Sequence, residues 1–67
     1  MYAIGDRFTT NYDDATWTLM SNTMVIDDDS FVLKPGYVVK ISNHPELVAV
    51  SHELISDGVQ LKKLNKI

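Results

Sequence analysis

Cysteine is missing altogether from these 67 residues. No disulfide can staple the fold, and no thiolate is present to act as nucleophile or metal ligand. That fits a reducing compartment. Glycine occurs three times, always singly, so neither a Walker loop nor a dinucleotide loop can be built. No stretch approaches the roughly 18 consecutive apolar residues of a membrane span. The N-terminus lacks the basic-then-apolar pattern of a signal peptide. A cytoplasmic protein is the expectation, and Met1 suggests an intact short reading frame.

Catalytic constellations are equally scarce. His44 and His52 are the only histidines, too few for a closed tetrahedral metal site even with Glu46 added. Asp27-Asp28-Asp29 does not continue as a calcium loop, because Phe31 and Val32 stand where further ligands and spacing are required. Ser51 and His52 are neighbours that point to opposite faces of a strand, and no Gly-x-Ser-x-Gly elbow exists. Asp13 and Asp14 lie in turn chemistry without the apolar surroundings that split carboxylate pKa values. No catalytic residue, metal or cofactor is assigned, and the expectation is that the chain is not an enzyme.

What is present describes one small domain over residues 1–67. Hydrophobic residues make up 45% and charged residues 22% of the chain, enough for a modest core and too apolar for disorder. A domain of this size buries only about 60% of its unfolded surface. Turn signals divide the chain into short runs: Asn11–Asp14, Asp27–Ser30, Lys34-Pro35-Gly36, Ser42–Pro45 and Ser56-Asp57-Gly58. Between them the pattern alternates. Ala15, Trp17 and Leu19 share one face, as do Tyr37, Val39 and Ile41. Pro35-Gly36 suits the centre of a type II turn, so Phe31–Leu33 and Tyr37–Ile41 read as a hairpin or tight corner.

Residues 46–57 admit two readings. As a helix, Leu47, Val50 and Leu54 fall on one face, with Pro45 at the first position and Gly58 at the C-terminal cap. As a strand, Asp57-Gly58 makes a two-residue hairpin that sets Leu54 opposite Leu61. The β-branched Val48, Val50 and Ile55 favour the strand. A bulge at Lys62-Lys63 would then return Leu64 to the core and blunt an edge strand.

Ile4-Gly5-Asp6-Arg7-Phe8 and Leu33-Lys34-Pro35-Gly36-Tyr37-Val38-Val39-Lys40-Ile41 resemble the opening strand and a later Pro-Gly-led strand of small SH3-like barrels. The resemblance covers about a fifth of the chain and implies a scaffold, not an activity. The fold expected is all-β, a small SH3-like five-stranded antiparallel barrel, with α+β and a helix at about 45–56 as the alternative. The adjacent tryptophans of peptide-binding SH3 domains are absent.

Net charge is −3, unevenly distributed: residues 1–33 carry −5 and residues 34–67 carry +2. This favours a protein-binding module that acts through an acidic surface of Asp13, Asp14, Asp27, Asp28 and Asp29. Trp17 is either the largest core side chain or a partly exposed interface anchor. A small regulator or inhibitor of a larger enzyme, of the kind phages and mobile elements encode, is one setting. The alternative is single-stranded nucleic-acid binding through Arg7, Lys34, Tyr37, Lys40, Lys62 and Lys63, which the acidic total opposes. The partner expected is another protein and not a membrane.

Overall fold

In the computed structural model, which describes residues 2–11 and 14–67, the chain forms β1 (Arg7–Thr10), β2 (Thr16–Ile26), β3 (Leu33–Ile41), β4 (Val48–Ser51), α1 (His52–Gln60) and β5 (Leu64–Lys66). The five strands make one antiparallel sheet in the order β4-β3-β2-β1-β5. Its two edge strands, β4 and β5, do not pair, so the expected closed barrel is not formed. The β-rich character and the strand count stand. Helix α1 leaves the β4 edge and packs against β3, β4 and β5.

The alternation expected in β2 and β3 is what builds the core. Leu19 lies opposite Val39, and Trp17 is paired with both Phe8 and Ile41. Paired residues share a face, which places Phe8, Trp17, Leu19, Tyr37 and Val39 together. Phe8, Leu19, Tyr37, Val39, Ile55 and Leu64 are the buried cluster. Tyr37 also ties down the N-terminal segment: its hydroxyl donates to the Tyr2 carbonyl at 3.1 Å and accepts from the Tyr2 N–H at 3.3 Å. Tyr2 in turn meets Phe8 edge-on, with ring centroids 5.2 Å apart.

Several local expectations are corrected. Pro35-Gly36 is not a turn but lies inside β3, opposite Met24 and Thr23. Strand β4 covers only Gly36–Val39, so Pro35 sits on an uncovered stretch of edge, the setting in which a strand tolerates proline. Gly36 is needed for close packing, since a Cβ there would collide with the Val50 carbonyl oxygen and the Val25 side chain. The reversal lies instead at the acidic turn. Phe31 donates to the Asp27 carbonyl at 2.7 Å, and Asp27 donates to Val32 at 2.9 Å.

The contested segment resolves into both structures in succession. Val48–Ser51 is strand; the chain then turns helical at His52, later than the expected start. Ser51 decides the boundary. Its backbone is extended, and its hydroxyl accepts from the Leu54 N–H at 3.1 Å, the bond a helix N-cap supplies. Asp57-Gly58 is therefore within α1 and forms no hairpin. Gly58 is not the C-terminal cap either; a Cβ there would press into Leu64.

The C-cap is Leu61, and the residue after it, Lys62, is left-handed with φ +59°. Lys62 donates to Val59 at 3.0 Å and Lys63 to Gly58 at 2.8 Å, the paired bonds of a Schellman motif. This ending, and not a strand bulge, turns Leu64 into the core.

Candidate functional site

Along α1, Leu54, Asp57, Gly58 and Leu61 follow at i, i+3, i+4 and i+7 and so form one side of the helix. With Trp17, Ser51, Glu53, Lys63 and Leu64 they line a groove of about 560 Å³. Trp17 is half-buried: it packs against the core and also walls this groove. Trp17 is therefore not among the fully buried core side chains, although it packs against them. Leu54 and Leu61 remain well exposed on the helix side.

Ser51, Glu53 and Leu54 also line a second concavity of about 320 Å³, together with Val25, Ile26, Asp27, Asp28, Lys34, Ala49 and Val50. The two hollows share three residues and make one track from Trp17 to the β2–β3 turn. The lining of the track includes four carboxylates, Asp27, Asp28, Glu53 and Asp57, and two ammonium groups, Lys34 and Lys63, and the hollow beside Trp17 is the more apolar of the two. A cleft with an excess of carboxylates in its lining focuses a negative potential.

No family model matches the chain, no curated protein matches it in sequence, and no solved structure matches it in fold. Function must therefore be argued from the chemistry of the surface.

Lys34 organises one end of the cleft. Its Nζ lies 3.0 Å from Asp27 and 3.4 Å from Glu53, bridging the β2–β3 turn to the first turn of α1. The Lys34 hydrogen bond, followed by the Asp29 N–H, holds the Asp27 carboxyl below its ordinary value of 3.8. The hydrogen bond to Asp27 and the adjacent negative charge raise Lys34 above 10.5. Asp29 donates its N–H to Asp27 Oδ1 at 3.0 Å, an Asx turn that stiffens the reversal.

The acidic residues singled out from sequence do not gather as one patch. Asp27–Asp29 follow the end of β2, whereas Asp14 precedes its start. Eleven residues of strand separate the two groups, about 30 Å or more if fully extended. Asp13 lies outside the described residues. Asp27 and Asp28 do reach the track that Trp17 lines, by way of Glu53 and Asp57, which the sequence reading did not select. The signal for those two is the helical period counted from Ser51, which the change from strand to helix at that residue obscures in the sequence.

The cationic set is dispersed as well. Tyr37, nominated as a stacking platform, is only 2% exposed, and its ring offers no face to a base. Lys34 is held by two carboxylates, and Lys62 is the left-handed residue after the helix C-cap. Arg7 and Lys40 do come together: both are aligned with Thr18, so the three form a row across the sheet face opposite the core. Among the described residues no group of three metal-ligating side chains converges. His44 accepts from the Glu46 N–H at 3.2 Å, and His52 stacks on Tyr37 with centroids 4.2 Å apart. Among the described residues no helix is long and apolar enough to cross a membrane.

Proposed function

We propose that this chain is a non-enzymatic protein-binding module whose acid-flanked cleft along α1 receives a basic amphipathic segment of a larger partner. The observation that carries this reading is the continuity of the track: Trp17, Leu54 and Leu61 supply an apolar seat, and Asp27, Asp28, Glu53 and Asp57 border it. An amphipathic segment laid in a groove contributes apolar anchors at helical spacing. Its cations select this rim and speed the encounter. The module acts by occupying a surface, which suits a small regulator or inhibitor of a larger enzyme. We also favour an SH3-like lineage for the scaffold, a reading supported by pairing of the last strand with the first and by a long second strand bent at a bulge between Leu19 and Ser21.

Nucleic-acid binding is the weaker reading, with only the Arg7–Thr18–Lys40 row in its favour. Two cations on a chain of net charge −3 neutralise few phosphates.

Trp17 is the only tryptophan and reports directly on the cleft. Its fluorescence should change saturably when a Leu/Lys amphipathic peptide is added, and added salt should weaken the response. Glu53→Gln combined with Asp57→Asn should reduce affinity severalfold. Equal binding of a Leu/Glu peptide of the same pattern would overturn the proposal, as would indifference to the double substitution.

A further inference from the structure

The outer half of the β2–β3 hairpin presents apolar surface that no other described residue covers. Met24 is paired with Pro35 and Ile26 with Leu33. These pairs continue the face that carries Tyr37 and Val39; of the four side chains Ile26 alone also borders the hollow shared with Glu53 and Leu54 of α1. Met24, Ile26, Phe31, Val32 and Leu33 are all more than half exposed, Phe31 at 83%. Five such side chains present on the order of 500–600 Å² of apolar surface, the top of the range for a monomer.

Phe31 is also costly where it stands. Its φ is +56°, a conformation that suits glycine or asparagine and strains a bulky side chain. An exposed aromatic ring in a strained position contributes little to this chain's own core. Its value lies in an interface, where aromatic residues are enriched.

We infer that a second copy of this chain covers this face, two hairpins packing face to face about a two-fold axis. Area supports that occupant: burying the patch on both copies removes roughly 1,000–1,200 Å² from water, close to the lower bound of a specific interface. A two-fold contact is self-complementary and closed, and two hairpins laid antiparallel keep their acidic turns, Asp27–Asp29, at opposite ends. Lys34 and Pro35 on the uncovered stretch of β3 oppose edge-to-edge addition there, which leaves the face as the contact. Val25 and Lys34 line the cleft from the reverse surface, and Ile26 is the one patch residue that also borders the second hollow; the dimer covers that border and leaves the hollow beside Trp17 accessible.

Sedimentation equilibrium between roughly 1 µM and 1 mM tests this, read alongside the circular dichroism of each variant. The wild type should show a monomer–dimer equilibrium. Met24→Glu and Leu33→Glu should each raise the dimer dissociation constant at least tenfold with an unchanged spectrum. Ser21→Glu, on the opposite face of β2, should leave it unaltered. Phe31→Asn should weaken the dimer while raising the thermal stability of the monomer. A wild type monomeric throughout the range would overturn the inference, as would equal dissociation by Ser21→Glu. Met24 and Leu33 do not line the cleft, so this result and that of the Trp17 titration fail or succeed separately.

Discussion

Single residues carry several costs and contacts that the pattern of apolar positions does not reveal. Lys62 closes α1 in the left-handed region, where a side chain costs roughly 1–2 kcal/mol relative to glycine. Lys62→Gly should therefore stabilise the protein by about 1 kcal/mol, seen as a higher midpoint in urea with an unchanged slope. The ion pair of Asp27 and Lys34 gives a pH signature. Because the folded Asp27 pKa is lowered, its contribution is present above 3.8 and fades as the pH falls through the folded value. Because the Lys34 pKa is raised, its contribution is complete below 10.5 and fades as the pH rises through the folded value. The pair is partly exposed, so the effect is small and screened by salt. The Asp29 and Phe31 amide shifts should stay constant across that window and move at both ends. Movement centred near neutral pH would contradict the assignment.

Among the elements, β2 and β3 were legible in outline because a two-residue alternation over Ala15–Leu19 and Tyr37–Ile41 leaves one solution for which face is buried. Their far ends were not, because Pro35-Gly36 is equally good turn chemistry, and only the absence of β4 beside Pro35 makes it acceptable in a strand. Residues 48–60 were ambiguous for a different reason. Val48 and Val50 are strand-formers, while Ile55 and Val59 hold a helical spacing, and one label could not fit both. Ser51 marks the change, and its hydroxyl bond to Leu54 is the local cause. Ser51→Ala should cost about 1 kcal/mol and fray the first turn of α1. Amide exchange at Leu54 should accelerate, while exchange at Leu19 and Val39 in the central strands should follow only the loss of global stability. Equal protection of Leu54 in both proteins would remove Ser51 as the cap.

For the whole molecule, an open five-stranded sheet with a helix packed against both of its edge strands has a consequence for the surface it presents. If β4 and β5 had paired, no helix would cross between them, and the cleft between α1, Trp17 and Leu64 would not exist. The sequence pattern pointed to a small β-rich domain and to Trp17, Asp27 and Asp28. It could not show that Glu53 and Asp57 join them, since that depends on where α1 begins and how it lies across the sheet. The charge asymmetry between the halves of the chain is likewise not kept in space, because the cleft takes acids from both.

The account rests on that cleft, and amide chemical-shift mapping tests it most directly. On titration with the Leu/Lys amphipathic peptide, the amides of Ser51–Leu61, the Trp17 indole and the amides of Asp27 and Asp28 should shift together with one saturating profile. A single-stranded oligonucleotide at the same salt should leave them in place. Shifts confined to Arg7, Thr18 and Lys40 on adding the oligonucleotide, with the cleft silent to the peptide, would contradict the account.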